Sequence, residues 1–192
     1  KQIGLKVDIH LMPDLPGSDP ALDKKMFETV LYSPYIQADQ WKIYPCEVVP
    51  HTAISDWFRD GEFAPYGSEG DSLMSLLIWV KEHVHPWIRL NRVIRDFKED
   101  EIEAGNPDIS LRDTIHVRMK KEGKFCRCIR CREAKNKNVD LAQTKIMTRQ
   151  YDTVGGTEYF ISCESLDEKH LYGLLRLRID ENPGGDIFPI LH

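Results

Sequence analysis

The chain has no long apolar run. Its longest, Leu73 to Val80, is broken by Ser75 and closed by Lys81, far short of the ~20 residues that span a bilayer. A membrane protein of helical type is therefore not expected. The start carries no secretory signal, and Lys1 stands where an initiating Met would. The chain opens directly into the strand-like LKVDIHLM, which reads as a fragment whose earlier partner strands are missing. Cysteine is scarce: there are five, an odd number, with three close together. That fits a reducing compartment better than a disulfide framework, so the cytoplasm is the expected location. The composition, 41% hydrophobic and 30% charged over 192 residues, is that of a soluble protein with one large domain or two small ones.

Cys126, Cys128 and Cys131 lie within the segment FCRCIRCREAKNK. Thiols this close cannot all pair with one another in so short a loop, but they can converge on one metal ion, most often zinc. Free reduced cysteines are the plain alternative. Three thiolates leave one tetrahedral position, for which His116, Cys46 and Cys163 are the protein candidates; a water, or no fourth protein ligand, is also open. A sulfur-rich site in a linker reads as structural, because it offers no open position to a substrate.

Charge is distributed unevenly. The net charge is −8 over residues 1–109, +8 over 110–150 and −5 over 151–192. A basic island centred on a cysteine cluster suits a polyanion, with Arg127, Arg130, Arg132, Lys135 and Lys137 as phosphate contacts. The competing reading is a basic strip that docks against the acidic flanks.

The chain divides into three parts: residues 1–97, 98–144 and 145–192. In the first, Leu5 to Met12 reads as a buried parallel strand with apolar residues on both faces. Asp19 and Pro20 start a helix that ends near Ser33-Pro34. A strand from Gln40 to Val49, a short helix from Ala53 to Asp60 and a longer one ending before Pro86 follow, and Trp87 to Phe97 is extended. This βαβα order predicts a parallel sheet or part of a barrel, too short by itself to close eight strands. The acidic stretch KEDEIEAGNPD is the expected boundary. After it, Ser110 is expected to cap a helix lined by Leu111, Ile115 and Met119. The third part, with strands at 145–151, 159–163 and 171–179, reads as an antiparallel sheet left unfinished at Pro189 to His192.

Lys42 and Tyr44 end a parallel strand, where ligands bind in such sheets. Arg89, Arg92 and Arg95 recur every third residue, suiting phosphate contact from one ridge, with salt bridges to neighbouring carboxylates as the alternative. His10, His83 and His85 have no sequence partner and read as structural. Asp8 and Asp14 carry no assignment.

Several segments together resemble the catalytic subunit of Elongator, a radical-SAM and acetyltransferase fusion that modifies the wobble uridine of tRNA. They are MPDLPGSDPALD, KIYP at Lys42 to Pro45, RLNRVIRDF at Arg89 to Phe97, CRCIRCRE at Cys126 to Glu133 and GLLRLRI at Gly173 to Ile179, in the family's order. The resemblance implies an α/β fold. Its parts would be the C-terminal part of an incomplete radical-SAM barrel, a zinc-binding linker and the opening antiparallel strands of a GNAT-type domain. It also implies acetyl-CoA, S-adenosylmethionine and an iron-sulfur cluster as cofactors, and tRNA as partner, with other Elongator subunits or a homo-oligomer possible and no membrane. The family's iron-sulfur cysteines and acetyl-CoA phosphate loop are not in this sequence, so the fragment by itself is expected to be inactive. A zinc-stabilised RNA-binding module without catalysis is the alternative.

Overall fold

Three short strands form a parallel sheet in the order β1 (Asp8–Leu11), β2 (Gln40–Ile43), β3 (Arg89–Val93). The computed structural model describes residues 5–68, 70–93, 97–135 and 139–181. Arg95, Lys137 and the stretch from Pro189 to His192 lie outside the described residues. Parallel neighbours require crossovers, supplied by α1 (Pro20–Tyr32) and then by α2 (Ala53–Arg59) and α3 (Ser72–His83). Asp19 caps α1, its carboxylate accepting the Ala21 and Leu22 N–H groups at 2.8 Å each, while Pro20 supplies a preset φ at the first turn.

The apolar stripes of α1 and α3, Phe27, Val30 and Leu31 with Leu73, Leu76, Leu77 and Val80, cover one side of the sheet. There they bury Trp41, Ile43, Leu90 and Val93 in a single core. The other side is polar. Asp8 and His10 of β1 are exposed, so β1 is not apolar on both faces as expected; its inward residues are Ile9 and Leu11. An irregularity in β3 puts Arg89 opposite Gln40 and Arg92 opposite Lys42, so both arginines stand on this open side.

The acidic stretch after β3 folds back on the first part of the chain. Val48 and Ala104 form a β-bridge, Ser55 donates to Glu103 at 2.6 Å, and the following helix α4 (Leu111–Lys121) sends Leu111, Ile115 and Met119 into the same core. Ser110 precedes α4, but its side chain makes no capping bond. Its backbone N–H instead donates to Asp108 at 2.7 Å, so the aspartate holds the turn that the serine was expected to hold.

After a four-residue helix α5 (Ile129–Arg132), strands β4 (Thr144–Thr153), β5 (Gly156–Ser165) and β6 (Leu171–Asp180) form an antiparallel meander. Its two hairpins close through left-handed residues, Gly155 at φ 75° and Glu168 at φ 61°. One face carries buried Phe160 and packs toward the parallel unit. Trp87 stacks between His85 and Tyr151, with ring centroids 4.4 Å away on each side, and Arg176 reaches Asp39 and the Trp87 carbonyl. The opposite face is apolar and open: Ile146, Leu175, Leu177 and Ile179 are 46% to 68% exposed. Among the described residues, no helix is long and apolar enough to cross a membrane.

Candidate metal centre and its basic surroundings

The cysteine segment is pinned by backbone hydrogen bonds before its side chains are considered. At the end of α4, Gly123 takes φ 70°, a left-handed stop that suits glycine, and Lys124 donates to the Met119 carbonyl at 2.8 Å. The chain then runs beside the end of α3 and the start of β3, with Arg127 N–H on the Lys81 carbonyl at 3.1 Å and Ile129 N–H on the Ile88 carbonyl at 3.0 Å. The single turn of α5 returns Cys131 to the other two. All three sulfurs lie within 4.8 Å of one another, with Cys126 and Cys128 buried.

His116, one helix away on α4, places Nε2 3.3 Å from Cys131 Sγ. Of the three protein candidates for a fourth ligand, it alone approaches the cluster. Among the described residues, the group of ligand atoms lying within 4.8 Å of one another is the three sulfurs alone; Cys46 and Cys163 fall outside it, and so does His116, whose contact is to Cys131. Cys46 sits after β2, donating its N–H to Pro13, and Cys163 lies on β5 opposite Gly173.

Two cations adjoin the cluster. Lys81, only 1% exposed, has Nζ 3.0 Å from His116 Nε2, and Arg112 donates to Cys131 Sγ at 3.4 Å. Hydrogen bonds from Cys126 and Cys128, then His116 and the Lys81 charge, hold the Cys131 thiol far below the usual range. The same sulfur–sulfur bonds and burial push Cys126 up.

The donor set fits a tetrahedral ion. Zinc bonds of about 2.3 Å to sulfur and 2.0–2.1 Å to nitrogen separate two sulfurs by about 3.8 Å and sulfur from nitrogen by about 3.6 Å. The three sulfurs, all within 4.8 Å of one another, are grouped closely enough to close around one ion, whereas His116 Nε2 contacts Lys81 and Cys131 and would have to turn from Lys81 toward the other sulfurs to serve as the fourth ligand. Three thiolates and a neutral imidazole around a divalent ion carry one net negative charge, which Lys81 and Arg112 are placed to balance. Such a buried charge would otherwise be costly.

The arginines of the basic island have different fates. Arg127, Arg130 and Lys135 are exposed, although Arg130 also donates to the Asn91 carbonyl. Arg132 is 3% exposed, donates to the Arg127 and Pro86 carbonyls at 2.8 Å each and pairs with Glu164 at 2.9 Å. Its donors are turned inward, so it joins the cysteine segment to β5 and cannot serve as a phosphate contact in this arrangement. Charge clustering by sequence could not separate it from its exposed neighbours.

On the open side of the parallel sheet, Lys42 lies 3.2 Å from His10 Nε2 and 3.4 Å from Asp8, and the His10 and Tyr44 rings are 5.5 Å apart. His10, read as structural from sequence, thus lies beside Lys42 and Tyr44. The only advance signal was the alternation that puts Asp8 and His10 on one face of β1. Arg89 pairs with Glu133 through both guanidinium nitrogens, while Arg92 is exposed. Burial depresses the proton affinity of His85, consistent with its place in the Trp87 stack.

Residues 38–121, which carry β2, α2, α3, β3 and α4, match the Radical_SAM C-terminal domain family. Similarity extends over nearly the whole chain. It is 36% identical over 189 residues to the tRNA uridine(34) acetyltransferase of Methanocaldococcus jannaschii, covering 95% of this chain and 35% of that protein. It is 34% identical over 182 residues to Elongator complex protein 3 of Saccharomyces cerevisiae, covering 93% of this chain and 32% of that one. The solved structure of the archaeal Methanocaldococcus infernus Elp3 with N-terminus deletion (1-46) superposes with a TM-score of 0.83 at 36% identity, over 91% of this chain and 42% of that chain. The chain is thus similar over nearly its whole length to tRNA uridine(34) acetyltransferases and Elongator complex protein 3, and spans about a third of the length of those two relatives.

Proposed function

We propose that this chain is the central part of a tRNA-modifying acetyltransferase acting on the wobble uridine, with residues 1–97 as the end of its radical-SAM barrel. Residues 98–144 are then the zinc-bearing segment, and 145–192 the first strands of a GNAT-type domain. The observation that carries this reading is the 36% identity across 95% of the chain to a protein named for that activity. The open apolar face of β4 to β6 supports the last assignment, since an uncovered face of this kind needs a further layer. Other parts of the full-length protein would hold the iron-sulfur cluster, S-adenosylmethionine and acetyl-CoA. The cytoplasm is the proposed location.

Within this chain, Cys126, Cys128, Cys131 and His116 hold zinc in a structural role. The ion ties α4 to the segment that packs under β5, and its four protein ligands leave no position for substrate. Lys42 and Tyr44, with His10 and Asp8 beside them, face the barrel interior. Arg92, Arg127, Arg130 and Lys135 supply exposed cations for tRNA phosphates; Arg89 contributes less because Glu133 already neutralises it.

The test is incubation of the full-length protein, reconstituted with its cluster, with tRNA, S-adenosylmethionine and acetyl-CoA, followed by nucleoside mass analysis. A modified uridine at the wobble position is expected. Tight tRNA binding without any modified nucleoside would instead favour a zinc-stabilised RNA-binding module. Charge reversal at Arg130 and Lys135 should weaken all tRNAs alike and flatten the salt dependence by about one to two contacts, each ~0.7–0.9 in log–log slope. An unaltered slope would assign the island to domain docking.

A further inference from the structure

A cavity of about 270 Å³ opens onto the cysteine cluster, between α4 and the β5–β6 turn; His116, Cys126 and Cys131 line it together with Lys120, Lys124, Phe125 and Lys169. Its volume is near the ~300 Å³ lower end of small-molecule sites, suited to a single planar ring. Phe125 is 45% exposed, fixed at its base by the reversal at Gly123 and by the buried Cys126 that follows it. Lys169 comes from the other wall and places Nζ 5.6 Å from the Phe125 ring centroid.

The charges at this mouth are unequal. Lys124 is already held by Glu122 at 2.9 Å and Glu82 at 3.6 Å. Lys120 and Lys169 are exposed, and the ion pairs found among the described residues include neither. An exposed aromatic ring with the Lys169 amino group over one face, and Lys120 lining the same cavity, meets the needs of one unstacked nucleotide. The ring offers a stacking face to the base, and the lysines offer charge to its phosphates. A protein partner would be expected to meet a broader apolar surface, whereas this cavity is small and cationic at its rim.

We propose that this cavity is a nucleotide-binding subsite for single-stranded RNA, with Phe125 as the stacking platform and Lys120 and Lys169 as phosphate contacts. It extends the tRNA reading given above and lies outside the exposed arginines of the island. By gripping a nucleotide next to the metal-braced segment, it would orient the RNA without selecting its sequence, because every base has a face to stack.

The experiment compares full-length parent protein with Phe125→Ala, Phe125→Trp and Lys169→Gln variants for binding of a tRNA transcript across a salt series, with zinc content measured on each. Phe125→Ala should weaken binding by about 5- to 100-fold with little change of salt slope. Phe125→Trp should restore it. Lys169→Gln, remote in sequence from the cysteines, should lower the slope by ~0.7–0.9, the value for one contact. Parent-like affinity and slope in Phe125→Ala and Lys169→Gln would overturn the proposal, as would weakened binding by Phe125→Ala that Phe125→Trp fails to restore at full zinc content. If the parent itself fails to bind tRNA, the broader reading of function falls. If the parent binds and these variants match it, only the subsite falls.

Discussion

Removing the Glu164 carboxylate should be among the most damaging single changes to this chain. Glu164 is 0% exposed and accepts from Arg149 at 2.6 and 3.0 Å and from Ser162 at 2.7 Å. It also pairs with Arg132 at 2.9 Å. Burial pushes its pKa up, but the bonds from Arg149, Ser162 and Arg132 outweigh that and bring it from 4.5 down to about 2. A shift of this size corresponds to about 3 kcal/mol in favour of the ionised folded form. Because the folded value lies below the unfolded one, this stabilisation is complete above about pH 4.5 and is lost as pH falls toward about 2. In Glu164→Ala, Arg132 stays buried with carbonyl partners but without a counter-charge, a change that costs about 3–5 kcal/mol in comparable buried pairs. For a chain of this size that is a fall in melting temperature of about 6–20 °C. Thermal unfolding followed by circular dichroism and by tryptophan fluorescence is the assay, since Trp87 sits at the junction that the pair braces. A melting temperature within about 2 °C of the parent, with the same acid-unfolding profile, would refute the reasoning.

Cys128→Ser should reduce bound zinc from about one ion per chain toward zero and lower the melting temperature; metal analysis with calorimetry checks it, and unchanged zinc content contradicts the ligand assignment. Asp14 is buried, which raises its pKa to about 6 despite the Gly67 and Tyr66 N–H groups that it accepts. Its folded value lies above the unfolded 3.8, so this group favours folding at low pH and withdraws about 3 kcal/mol as pH rises from about 4 to 6. Denaturant titrations of the parent and Asp14→Asn across that window should differ in slope, and parallel profiles would exclude the effect. Trp87→Ala removes the ring that His85 and Tyr151 sandwich and should cost about 3–5 kcal/mol; limited proteolysis should then cut between the two sheets, and parent-like resistance would show that the stack does not join them.

Much of this protein was legible along the chain because it is written in local rules. Asp19-Pro20 starts α1 by capping chemistry, the leucine spacing of 73 to 80 gives α3 its buried stripe, and alternation marks β4 to β6. Three thiols within six residues mark a candidate metal site, and the segment MPDLPGSDPALD with its successors carries the family resemblance. What the chain could not announce depends on which distant residues meet. The register between β1 and β2 brings Lys42 to His10 and Asp8, and the packing of α4 against α3 brings His116 and buried Lys81 to the sulfurs. Docking of α5 under β5 turns Arg132 inward to Glu164, although Arg130, two residues earlier and equally basic, stays at the surface. Sequence fixes a side chain's charge and its period within a strand or helix; tertiary packing alone decides which charges lose their water and must find a partner inside.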